Sequence, residues 1–236
     1  MIKRLVLSAA VMVGLAVLAD RGLAVAAGEA AASSVARSNG LAEEPEVSFR
    51  GFPFITQALG GQFQEVDVDA RDVTVDGMTF SRIEAELRGI KVGLRDALAG
   101  EVDAVPVESG NAVVSIDYRD LNDYLDAKPG SPDVAAPGGV LIVRSTIGVP
   151  GRGSVAVEGR GTASVTGDGL AVRVSGVRAT SGPALPAAVA ATATSRLSFV
   201  IPTRRLPFGL TLQSVSVDVG GLRVAAVARG IVVRVR

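Results

Sequence analysis

The sequence predicts an α+β fold, a strongly twisted antiparallel β-sheet with two or three helices, and three observations carry that expectation. Beyond Glu46, apolar and polar residues alternate at period two along most of the chain. The stretch DYRDLNDYLDAKPG switches to a helical period. Asp76-Gly77 and Gly220-Gly221 separate long alternating runs in the manner of hairpin turns. With 236 residues, 48% of them hydrophobic, the chain has material for a sizeable core, and a domain of about 200 residues is commonly undivided.

At the N-terminus, Lys3 and Arg4 precede an uncharged apolar run from Leu5 to Ala19, and Ala24-Val25-Ala26 offers a small-residue cleavage site. A helix over that run reaches only about 22 Å, short of the roughly 30 Å hydrocarbon core. Residues 1–27 therefore read as a signal peptide or an N-terminal membrane anchor, and residues 28–236 as a single exported α+β domain.

Residues 28–44 are Ala-rich and fit a short helix or a linker. In GFPFITQALGG, residues 51–61, a proline and a double glycine bracket a short helix or loop. Phe49, Phe52, Phe54 and Phe63 gather around it in a chain with 7 Phe and no Trp. Val66, Val68 and Ala70 then alternate with Glu65, Asp67 and Asp69. Val73 and Val75 follow out of phase, so a bulge or bend is expected near Arg71 and Asp72. The acidic row invites a calcium reading, but strand alternation alone turns such residues to solvent. The return strand MTFSRIEAELRGIKVGL slips phase before Ile90.

Tyr118, Leu121, Tyr124 and Leu125 give one apolar helical face ending near Ala127, and residues 129–139 read as a Pro/Gly loop. GVLIVRSTIGV, GSVAVEGRGTASV and GLAVRVSGVRATS are strands, with Gly151-Arg152-Gly153 and Gly159-Arg160-Gly161 as turns or bulges, not a phosphate loop. A helix over about 185–196, a short strand and a closing hairpin complete the chain.

Lys plus Arg equals Asp plus Glu at 24 each, which gives no reason to expect a nucleic-acid partner. No cysteine and no histidine are present. Disulfides, thiolate nucleophiles and every Ser-His-Asp or Cys-His arrangement are thereby excluded. No metal site and no cofactor are expected. Lys occurs only at positions 3, 91 and 128 beside abundant Arg, Ala, Val and Gly, a usage that suggests GC-rich coding and an actinobacterial source.

Several of these pieces, in this order, resemble the actinobacterial LmeA-like family, phospholipid-binding proteins of the cell envelope named for lipomannan elongation. They are the N-terminus ending ADRG, GFPFITQALGGQFQEVDVDARDV, FSRIEAELRGIKVGLRDAL, YRDLNDYL, LPFGLTLQSVSV and GLRVAAVARGIVV, which together cover most of residues 19–233. The resemblance implies a fold similar to tubular lipid-binding (TULIP-like) domains, in which a curved sheet wraps a long helix around an apolar tunnel. It also implies phospholipid binding on the periplasmic side and a role in envelope lipid or lipoglycan maturation. Residues 129–139 and 148–162 depart from it in their Gly/Pro content.

Three functions compete. The first is non-enzymatic binding of a phospholipid or related acyl lipid at a membrane surface, since each buried methylene contributes about 0.8 kcal/mol without any catalytic group. The expected lining is Phe52, Phe54, Ile55, Leu59, Phe63, Phe80, Leu121, Tyr124, Leu206 and Phe208. The 51–61 segment then serves as a lid or end-plug, and Phe54→Asp weakens lipid binding more than folding. The second is a glycan-active enzyme using Asp117 and Asp120 beside Tyr118, which needs two carboxyl groups about 5–9 Å apart in a cleft. The third is a scaffolding β-domain presenting apolar patches to an envelope partner.

Overall fold

In the computed structural model, the backbone is described for residues 2–39, 41–75, 77–99, 102, 104–167, 169–202 and 211–234. Side chains are described from residue 12 onward within those ranges, apart from 38–39 and 233–234. The architecture is α+β with antiparallel sheets, one of them strongly curled. By contact density the chain groups into two compact units. The first comprises 1–71, 84–112 and 228–236, and the second 72–83 and 113–227.

Among the described residues, eleven strands form two sheets. The six-stranded sheet runs β1 (Glu46–Arg50), β2 (Gln62–Val75), β3 (Met78–Lys91), β4 (Ala104–Asp117), β11 (Gly221–Arg234), β10 (Thr211–Val217). The five-stranded sheet runs β5 (Asp133–Ala135), β6 (Ile142–Val149), β7 (Gly153–Thr166), β8 (Gly169–Ala179), β9 (Phe199–Pro202). Five α-helices lie among the described residues: α1 (Ile2–Asn39), α2 (Phe54–Gly60), α3 (Leu94–Ala99), α4 (Tyr118–Asp126) and α5 (Ala187–Leu197). The alternating runs become β2, β3 and the β6–β8 meander. Asp72, at φ +49, and Gly89, at φ +63, stand at the two expected phase slips.

In the first unit, α1 runs without interruption through residues 20–39. Its buried row is Asp20, Ala24, Gly28, Ala32 and Ala36, a spacing of four that keeps all five on one face. The row lies along β1, and a Cβ at Gly28 would collide with the Val47 carbonyl oxygen. Small side chains therefore let the helix approach a strand closely, which an Ala-rich composition does not reveal. Among the described residues, no helix is long and apolar enough to cross a membrane. On the sheet, Val66, Ile90 and Val107 form a core cluster with Phe49, Phe63 and Leu87 packed against it. Of the acidic row, Asp67 pairs with Arg50 at 2.6 Å and Glu65 with Arg88 at 3.1 Å.

The second unit holds the larger core. Leu121 and Leu125 of α4 are fully buried with Val134, Val143, Val157, Leu170, Val172, Leu197 and Leu222. The 129–139 segment differs from the loop expected there, because it contains β5, paired antiparallel with β6, and a turn of 3-10 helix at Pro137–Gly139. Asn122 of α4 holds β5 from the other side: its Oδ1 accepts from the Val134 amide at 2.8 Å and its Nδ2 donates to the Val134 carbonyl at 3.0 Å. A three-residue strand thus gains a side-chain amide as a second partner. Gly159 sits at a register shift between β7 and β8 and is a bulge glycine, where an added Cβ would meet Val174. Gly161 pairs in register with Val174, and its Cβ would meet Leu141.

Candidate functional site

The aromatic cluster is assembled by the turn from β1 into α2. Phe54 is buried, and its ring lies 5.5 Å from Phe49 and 5.9 Å from Phe63, with Phe49 and Phe63 4.8 Å apart. Such tilted and edge-on pairs are the favoured aromatic arrangement. Gln57, also buried, ties the turn together. Its Oε1 accepts from the Gln64 amide at 2.8 Å, and its Nε2 donates to the carbonyls of Arg50 at 3.3 Å and Pro53 at 3.4 Å. Gly61, at φ +63, closes α2 with a left-handed cap, and its carbonyl accepts from Val92 at 3.0 Å.

The group that orients this turn comes from α1. The carboxylate of Asp20, 2% exposed, accepts from the amides of both Phe54 and Ile55 at 2.9 Å. Arg21 donates to the Gly51 carbonyl at 2.6 Å, and its guanidinium lies 5.4 Å from the centre of the Phe52 ring. Burial opposes the charge on Asp20, but the Ile55 and Phe54 amides and then Arg21 outweigh it and hold the carboxyl below its ordinary value. An acid that interrupts an apolar segment thus satisfies the first free amides of a helix more than thirty residues away. Sequence reasoning missed Asp20, Arg21 and Gln57, and the one available signal was the ADRG motif itself.

The predicted lining residues divide. Phe54 and Phe63 come together in the first unit, while Phe52, Ile55 and Leu59 are exposed there. Phe80, Leu121 and Tyr124 belong to the core cluster of the second unit. Leu206 and Phe208 lie outside the described residues. The side chain of Phe54 faces its aromatic neighbours and not open space, which removes the reason to expect Phe54→Asp to spare folding.

Within the second unit, a cavity of about 260 Å³ opens between β6 and α5, walled by Ile147, Pro150, Val189 and Ala193, with Arg196 at its edge. Most of the side chains lining it are apolar, and Arg196 is the one cation among them. A larger recess of about 670 Å³ lies along Gly130, Asp133, Arg144, Ser145 and Thr180.

Of the two carboxylates weighed as an acid pair, Asp117 has a side-chain partner and Asp120 has a raised pKa. Asp117 immediately precedes α4 and accepts from the Ser81 hydroxyl at 3.0 Å. Asp120 is raised by partial burial, then by the negative charges of Asp117 and Asp72. The Tyr118 hydroxyl donates to the Asp218 carbonyl at 2.9 Å, and burial together with the Asp218 charge pushes its pKa up to about 12. That phenol is a hydrogen-bond donor at neutral pH.

Among known families, the sequence model described as LmeA-like phospholipid-binding matches residues 18–227. No curated protein and no solved structure gives a significant match. The matched span begins two residues before Asp20, takes in the aromatic turn, α4, α5 and the strands through β10, and ends within β11. The chain therefore belongs to the LmeA-like phospholipid-binding family.

Proposed function

We propose that the protein is a non-enzymatic lipid carrier or sensor of the cell envelope, which holds the acyl part of a phospholipid and supports envelope lipid or lipoglycan maturation or transport. The observation that carries this reading is the family match over residues 18–227. The composition agrees with it, because a chain without His or Cys lacks the usual nucleophile and base pairs, whereas acyl binding needs only apolar surface. The groove between β6 and α5 is the proposed acyl contact, with Val189 and Ala193 as its wall and Arg196 beside the phosphate. Phe80 and Tyr124 belong to the same core cluster as Ile147 and are the sequence-predicted side chains this reading retains.

Export is supported by Lys3 and Arg4 ahead of the apolar run. Retention of α1 after export is supported by the first unit, since cleavage after Ala26 would remove Asp20, Arg21 and the buried Ala24.

The test is an organic extract of the purified full chain analysed by mass spectrometry, with uptake of a fluorescent phospholipid measured alongside. Phospholipid is expected in the extract. Thr192→Trp, at an exposed position of the groove, is expected to weaken uptake about tenfold by excluding two or more methylenes. A lipid-free protein that takes up no probe would overturn the reading.

A further inference from the structure

The strands of the first unit fix which helices share an end. Asp20 meets residues 54 and 55, Gly28 meets Val47, and Ser33 donates to Glu44 at 3.0 Å. Helix α1 therefore runs antiparallel to β1, and its leading half leaves the unit where β1 ends and α2 begins. β3 is antiparallel to β2, with Arg88 against Glu65, so Lys91 and the following α3 arrive at that same end. The bond from Val92 to the Gly61 carbonyl joins the start of the α3 segment to the cap of α2.

Large apolar side chains crowd this end with nothing over them. Leu18 is 70% exposed, Phe52 56%, Leu59 69% and Leu98 81%, with Leu15 and Leu94 also exposed. Every residue of α1 from Met12 to Ala19 is exposed, more than two turns of an all-apolar helix with no packed side. A helix apolar all round suits a surrounding apolar medium, whereas a single protein groove would cover only one stripe. The apolar positions of α2 and α3 lie at the base of that helix, the level at which large side chains enter the bilayer interface.

We infer that α2 and α3, with Phe52, form a bilayer-docking face around the exit of α1, and that the occupant of this face is the lipid interface. The inference rests on the phospholipid-binding reading and names where the protein meets the membrane that holds its ligand. Arg21, stacked on Phe52, and Arg95 of α3 supply cations for lipid phosphates, and Asp96 is the one acid of that helix.

The chain contains no cysteine, so Leu59→Cys, Leu98→Cys and Glu43→Cys each accept one environment-sensitive fluorophore. Glu43 is exposed and lies near the opposite end of β1. The full chain is reconstituted into vesicles of phosphatidylcholine and phosphatidylglycerol, with and without nitroxide-bearing lipids. Blue-shifted emission at 59 and 98 that is lost with nitroxide lipids, and unshifted, unquenched emission at 43, is the expected result. Emission at 59 and 98 that ignores the nitroxide overturns the inference, as does equal quenching at all three positions. A blue shift without lipid quenching that grows with protein concentration assigns the face to a second copy and also overturns it. Unquenched probes on protein that still carries extractable phospholipid reject the docking face alone. Quenched probes on lipid-free protein support the face and reject the proposed function.

Discussion

Asp20 and Phe54 meet across 34 positions of sequence, the carboxylate of one accepting the backbone amide of the other at 2.9 Å. Because Ile55 donates to the second oxygen, both acceptors are committed, and the charge is held by the backbone of a turn. The segment read from sequence as a leader is in this way joined to the aromatic turn that the rest of the first unit builds.

Asp20→Ala is expected to lower the melting temperature by several degrees, because it leaves two amides without their acceptor. Asp20→Asn retains one acceptor and should fall between. The sign of the pH dependence follows from the depressed carboxyl. Its stabilisation is fully present above the unfolded value of 3.8 and is lost as pH falls through the lower folded value. Acid unfolding of Asp20→Asn should therefore depend less on pH below about pH 4 than that of the parent chain. Identical acid limbs in the two proteins would remove the role assigned to this carboxylate.

Phe54 and Phe52 are neighbours in sequence with opposite surroundings. Phe54→Ala opens a hole among Phe49 and Phe63 and is expected to cost about 3–5 kcal/mol in denaturant unfolding. Phe52→Ala should cost well under about 1 kcal/mol, since more than half of that side chain already meets solvent. Equal losses from the two would contradict the division between packed and exposed members of the cluster.

Asn122→Ala removes the two side-chain bonds that hold Val134 in the short strand β5. Val134 is fully buried, so its amide and carbonyl lose their partner where water does not replace it. A loss of about 1–3 kcal/mol is expected, together with faster hydrogen exchange at the Val134 amide. Unchanged exchange would mean that pairing with β6 alone holds the strand.

Much of the fold was legible because it is encoded over short distances. Val66, Val68 and Ala70 announced β2 by alternation, and Tyr118, Leu121 and Leu125 announced α4 by their spacing, each pattern repeating within a few residues. The phase slips pointed to Asp72 and Gly89, where the backbone turns left-handed. Helix α3 was hidden because six residues are too few to show a period. β5 was hidden because its partners are β6 and an asparagine on a helix, neither of which marks its own sequence.

The candidate site was less legible for the same reason. An apolar residue looks alike whether it packs on protein or meets lipid, so Phe52, Phe54, Ile55 and Leu59 read as one group although only Phe54 is buried. By itself the sequence determined the strand and helix periods, the want of histidine and cysteine chemistry, and the motifs of a phospholipid-binding family. Only the tertiary structure decided that Asp20 caps α2, that Gly28 brings α1 onto β1, and that Ile55, Leu59, Leu94 and Leu98 stay uncovered while Phe54 does not. Periodicity is a property of neighbouring residues, whereas burial and hydrogen-bond partnership arise only when distant segments are brought together.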